Sequence, residues 1–72
     1  DTVTLSAAVT GLNIALGAGS DKLVLANGNN SLTVGSDIET LVGGTGNDTI
    51  AFSGGVNGAS YNLGTGTDTI LL

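Results

Sequence analysis

Gly43-Gly44-Thr45-Gly46-Asn47-Asp48-Thr49-Ile50-Ala51 is a nonapeptide of the form GGxGxDxUx, where U is a large apolar residue. Partial copies lie on both sides of it. Taking the apolar U residue as a marker gives Val3, Ile14, Leu23, Leu32, Leu41, Ile50, Tyr61 and Ile70, with steps of 11, 9, 9, 9, 9, 11 and 9 residues. Two positions after each marker stands a second apolar residue: Leu5, Leu16, Leu25, Val34, Phe52, Leu63 and Leu72, with Gly43 as the one break. A spacing of two puts both members of a pair on one face of a strand. Each repeat therefore offers two side chains to a narrow interior.

Two residues before the markers stand Asp1, Leu12, Asp21, Asn30, Glu39, Asp48, Ala59 and Asp68. Glycine pairs precede three of these acids, at Gly17/Gly19, Gly44/Gly46 and Gly64/Gly66. The turns before Ile14 and Tyr61 lack the acid and carry two extra residues. A longer period overlies the short one. Residues 1–25 align without gaps on residues 48–72, with 10 of 25 pairs identical. The chain reads as a single repeat region, 1–72, built from a 47-residue unit (1–47) and a partial copy (48–72).

This spacing predicts strands over Thr2–Leu5, Leu12–Leu16, Lys22–Leu25, Ser31–Val34, Glu39–Val42, Thr49–Phe52, Ser60–Leu63 and Thr69–Leu72. Glycine or aspartate interrupts every ten residues or so, and no helical apolar period runs for a useful length. A glycine turn, a very short strand and a constant step predict an all-β chain, a parallel β-roll or two-sheet β-solenoid. It has about eight half-coils, cation-binding turns and no cap at either end. Successive turns alternate between two edges. One edge carries the turns ending at Asp1, Asp21, Glu39 and Ala59. The other carries those ending at Leu12, Asn30, Asp48 and Asp68.

Composition bounds the chemistry. Seventy-two residues make at most one small domain, a size that usually needs a staple. Cysteine and histidine are absent, which excludes disulfides, common zinc sites and the usual nucleophile–base pairs. Net charge is −5 and Lys22 is the one cation, so there is no basic surface to meet nucleic acid. No apolar run reaches the length of a membrane span. No signal peptide is visible. Thirteen glycines without proline, and 40% apolar residues, describe strands joined by turns and not a flexible linker. The remaining staple is a hard cation held by oxygen.

These residues resemble the RTX, or haemolysin-type, calcium-binding nonapeptide repeat family. Gly43–Ala51 is a complete copy of its motif, Leu16–Val24 and Leu63–Leu71 lack only the first glycine, and the other repeats are degenerate. The resemblance implies a right-handed parallel β-roll, secretion to a calcium-rich exterior, and several Ca²⁺ ions held between stacked turns by carbonyls and aspartates. The first expected site lies between the turn of Gly43, Gly44, Thr45, Gly46 and Asp48 and that of Gly64, Thr65, Gly66 and Asp68. A second joins Asp1 to the turn of Gly17, Ala18, Gly19 and Asp21. Further pairings join Asp21 with Asp37 or Glu39, and Asn30 with Asp48. Acids of one sign stacked along an edge repel unless a cation lies between them. The expectation is a chain largely disordered without calcium and folded with it.

No enzymatic constellation is present, and the expected function is structural. It is that of a calcium-folded module of an extracellular fibre, adhesin or surface-layer assembly. The module stacks head to tail with copies of itself or with neighbouring repeats into a filament, in contact with a cell surface or matrix. An alternative is a calcium-dependent ice-binding β-solenoid that uses outward residues such as Thr2, Thr4, Ser31, Thr33, Thr40, Thr49 and Thr69. The row Thr4, Ala15, Val24, Thr33, Val42, Ala51, Asn62 and Leu71 is not regular. Another alternative is the secretion and folding region of a larger secreted toxin or hydrolase. Lys22 reads as a solvated strand residue, the asparagines at 27, 29 and 30 as a turn, and Phe52 and Tyr61 as core.

Overall fold

The structure, a computed structural model, describes residues 1–35, 38–53 and 60–71. Eight strands follow one another: β1 (Thr2–Thr4), β2 (Thr10–Ile14), β3 (Lys22–Val24), β4 (Ser31–Val34), β5 (Thr40–Val42), β6 (Thr49–Phe52), β7 (Ser60–Asn62) and β8 (Thr69–Leu71). Among the described residues there is no helix. Odd-numbered strands form one sheet, in the order β1-β3-β5-β7, and even-numbered strands the other, β2-β4-β6-β8. Every pairing is parallel. Consecutive strands thus lie in opposite sheets. The chain is a β-solenoid.

The core follows from the alternation. In the odd sheet Val3, Leu23, Leu41 and Tyr61 are register partners in one column. In the even sheet Leu12, Leu32, Ile50 and Ile70 form a second column, and Ile14, Val34 and Phe52 a third. Leu23, Val34, Leu41 and Ile50 are fully buried. Each such side chain contributes about 1.5–3 kcal/mol on leaving water. Phe52 and Tyr61 stack with centroids 5.0 Å apart and 24° between planes. Lys22 is exposed on the outer face. Ile38, in the turn after β4, is 1% exposed and belongs to the core. It lies outside the marker series, so the repeat pattern gave no signal for it.

The second strand departs from the sequence expectation. Leu12 pairs with Leu32 and Ile14 with Val34, so Leu12 and not Ile14 holds the marker position. The strand runs Thr10–Ile14 instead of Leu12–Leu16. The register shifts at Gly11, between Thr10 opposite Ser31 and Leu12 opposite Leu32. Gly11 has φ +71°, which glycine adopts without strain, and the bulge absorbs one extra residue there. Leu12, Ile14 and Leu16 are apolar at a spacing of two, so periodicity alone permits either register. Leu16 packs against the core from the following turn.

Outer faces carry hydroxyls. Thr10, Ser31, Thr49 and Thr69 occupy one register position in four successive coils of the even sheet. The neighbouring positions Asn13, Thr33, Ala51 and Leu71 are mixed.

Candidate cation-binding turns

The connections β3–β4, β5–β6 and β7–β8 stack on one edge, and β2–β3 and β4–β5 lie on the other. On the first edge, residues expected at an acid position form a ladder. The Asn30 N–H donates to Oδ1 of Asp48 at 3.1 Å, and the Asp48 N–H to Oδ1 of Asp68 at 2.8 Å. Thr49 N–H returns a bond to the Asn30 carbonyl, and Thr69 N–H to the Asp48 carbonyl, both at 2.8 Å. At the foot of the ladder stands Val9, whose N–H donates to Oδ1 of Asn30 and whose carbonyl receives the Ser31 N–H. The repeat step in the sequence predicts Leu12 in that place. The bulge at Gly11 shifts the acid position back to a residue without an acid.

The opposite edge repeats the device. The Asp21 N–H donates to Oε1 of Glu39 at 2.6 Å, and the amino nitrogen of Asp1 donates to Oδ1 of Asp21. Asp21 thus lies beside Glu39 and beside the amino group of Asp1, not its carboxylate, and Oδ1 of Asp21 forms an ion pair with that amino group. Asp37 lies outside the described residues.

These bonds use one oxygen of each acid. Asp21 and Asp48 are 2% and 0% exposed, and Oδ2 of each is buried without a hydrogen-bond partner among the described residues. A buried carboxylate oxygen without a donor is costly, since it has left water and gained nothing. Asp48 Oδ2 lies over Gly43. A Cβ at that glycine would come within 2.8 Å of this oxygen and of the Leu63 backbone. This explains the break in the apolar row: the space of the missing side chain is taken by the carboxylate.

The turns themselves stack closely. The Thr65 N–H donates to the Gly44 carbonyl at 3.1 Å. A Cβ on Gly64 would fall on the Gly44 carbonyl oxygen, and one on Gly66 on that of Gly46. The carbonyls of Gly44 and Gly46 thus point up the stack into the turn that holds Gly64, Thr65 and Gly66. The expected ligand set of Gly43, Gly44, Thr45, Gly46, Asp48, Gly64, Thr65, Gly66 and Asp68 is brought together on one edge. Gly17, Ala18, Gly19 and Asp21 share the turn after β2 on the other. Among the described residues no three His, Cys, Asp or Glu side chains converge, so a cation here would have to draw most of its ligands from the backbone. Carboxylate and carbonyl oxygens in a glycine turn suit a hard ion such as Ca²⁺, which takes about six to eight oxygens.

A second ladder runs through exposed side chains. Asn27 Oδ1 accepts from the Thr45 N–H at 3.1 Å, Asn29 Oδ1 from the Asn47 N–H at 2.7 Å, and Asn47 Oδ1 from the Thr67 N–H at 2.8 Å. Its polarity is opposite to that of the acids: the lower coil supplies the oxygen. The 18-residue spacing of Asn29 and Asn47 is one full coil, and that is the signal the sequence offered. Asn30 departs from a ligand's geometry. It turns its amide nitrogen, not an oxygen, towards Asp48 Oδ1 at 2.8 Å.

No protein-family model matches this sequence, and neither a curated protein nor a solved structure matches it.

Proposed function

We infer that this chain is a non-catalytic, calcium-binding structural repeat module of an extracellular fibre, adhesin or surface-layer type assembly. The observation that carries this reading is the buried, unpartnered Oδ2 of Asp48, beside Asp68 and above a glycine turn. Asp21 beside Glu39 repeats it on the other edge. A bound Ca²⁺ would supply the positive charge that these oxygens lack. Asp48, Asp68 and the carbonyls of Gly44 and Gly46 would hold it at the first site. Asp21, with the carbonyls of Gly17 and Gly19, would hold it at the second. Carriage of six acids against one lysine agrees with a fold that forms only when cations are supplied.

Stacking of coils is the other half of the proposal. β8 has a partner on one side, and Ile70 and Leu71 are 41% and 52% exposed. An edge of this kind invites a further parallel strand, from the same polypeptide or from another copy. Calcium titration followed by circular dichroism and calorimetry tests the metal reading. The expected result is little strand signal in chelator, and strand formation with heat of binding in millimolar Ca²⁺. Identical β-rich spectra in both conditions refute it.

The regular row Thr10–Ser31–Thr49–Thr69 favours one second reading, a calcium-dependent ice-binding solenoid. Four hydroxyls at about 4.8 Å intervals make a short flat array. Thermal hysteresis in the presence of Ca²⁺ distinguishes it, and its absence removes this reading.

A further inference from the structure

We propose that the side-chain amide of Asn30 takes, within its own turn, the place that a cation takes in the turns of Asp21 and Asp48. That part of the stack is then closed without metal. The inference rests on the calcium reading above for those two acids, and on independent geometry for Asn30.

Asn30 is 1% exposed. Its Nδ2 lies 2.8 Å from the Ala26 carbonyl oxygen, 3.2 Å from that of Gly28 and 2.8 Å from Oδ1 of Asp48. Two oxygens come from its own turn, four and two residues back, and one from the carboxylate of the next coil. The network fixes the orientation of the amide. Oδ1 receives the Val9 N–H at 3.1 Å, so a flipped amide would set oxygen against three oxygens and an NH₂ against an N–H. The positive end of the amide therefore sits within a ring of oxygens, as a hard cation does.

Asp48 stands in the same register one coil on, since Thr49 pairs with Ser31. The corresponding oxygens are the carbonyls of Gly44 and Gly46 and Oδ1 of Asp68. The Asp68 oxygen takes the Asp48 N–H as Asp48 takes that of Asn30. The atom that corresponds to the Asn30 nitrogen is then Asp48 Oδ2, a buried acceptor without a donor. Where asparagine brings a donor, aspartate brings a further negative oxygen. Asp21 Oδ2 is in the same condition. The choice of amide or acid at this one position decides whether a turn needs an ion.

Asn30→Asp and Asp48→Asn exchange the two chemistries in the full chain. Calorimetry with Ca²⁺ is expected to show one more ion per chain for Asn30→Asp than for the parent, and one fewer for Asp48→Asn. A metal-free measurement accompanies it: folding in chelator, driven by trimethylamine N-oxide and read by circular dichroism. There Asp48→Asn is expected to raise the folded-to-unfolded ratio about tenfold, and Asn30→Asp to lower it about tenfold, from the gain or loss of a buried donor. A parent chain that takes up no calcium refutes the metal reading and leaves the chelator measurement to decide the role of the amide. Unchanged stoichiometry and unchanged metal-free folding in Asn30→Asp overturn that role. If Asn30→Asp fails to fold under either condition, Asp48→Asn decides: no gain in chelator overturns the proposal, and a gain upholds it.

Discussion

Gly11 and Gly64 share a backbone conformation, φ +71° and +74°, and differ in what surrounds them. Among the described residues nothing lies within 4 Å of a Cβ on Gly11, whereas a Cβ on Gly64 lands on the Gly44 carbonyl. Gly11→Ala is expected to cost only the left-handed conformation, about 1–2 kcal/mol. Gly64→Ala adds the overlap and is expected to cost roughly 2–5 kcal/mol. Chemical denaturation in saturating Ca²⁺ measures both, and equal losses would contradict the close stacking of these turns. Tyr61 offers a second residue-scale test. Burial, and then the charge of Glu39, push its hydroxyl above the ordinary value of 10.0. The folded state thus holds the proton more tightly than the unfolded state. Stability from this group is complete below pH 10.0 and is lost as pH rises through the raised value. Tyr61 is the one tyrosine, and tryptophan is absent, so tyrosinate absorbance reports it directly. Ionisation at the ordinary value in the folded chain would contradict the burial.

At the scale of the element, a strand of three to five residues holds its place through its two neighbours and its inward pair. Leu41 in β5 is fully buried between Leu23 and Tyr61, while Ile70 in β8 is exposed and has a register partner, Ile50, on one side. Leu41→Ala is expected to cost about 2–5 kcal/mol, since its neighbours lie on both sides and cannot close the cavity. Ile70→Ala is expected to cost less than half as much, by the same denaturation measurement. The turns have their own element-scale bond. Asn47→Ala removes the acceptor of the Thr67 N–H on an exposed surface, and a loss of about 0.5–1.5 kcal/mol is expected. β2 shows where an element escapes its own sequence. Three apolar residues at a spacing of two allow two registers, and pairing with β4 chooses between them.

For the whole molecule the governing fact is that each strand's partners stand 18 to 21 residues away. No strand pairs with its sequence neighbour, so no hairpin stands within a single repeat and each pairing spans a full coil. Small chains of this kind unfold in a single transition. On the calcium proposal, withdrawal of the ion is expected to remove the far-ultraviolet strand signal and the Tyr61 signal at the same chelator concentration. Two separated transitions would show that the coils are independent. The apolar outer side of β8 belongs to this scale as well. On the stacking proposal, Leu71→Lys is expected to reduce light scattering in the presence of Ca²⁺ by placing a charge on the exposed edge.

Local chemistry made much of this legible. Glycine turns, an apolar pair at a spacing of two and a near-constant step determined strand count, sheet alternation and which turns share an edge, because each depends on residues within one coil. The same pattern put Asp48 with Asp68 and Asp21 with Glu39. Through-space contacts decided the rest. The bulge at Gly11 set the register of β2, and Asp48 filled the space above Gly43. Ile38 joined the core from a turn, and Asn30 turned its nitrogen to Asp48. Sequence fixes which groups a residue carries. Which atom of a carboxylate or an amide faces the next coil depends on a neighbour a full coil away, and only the stacked structure brings that neighbour within bonding distance.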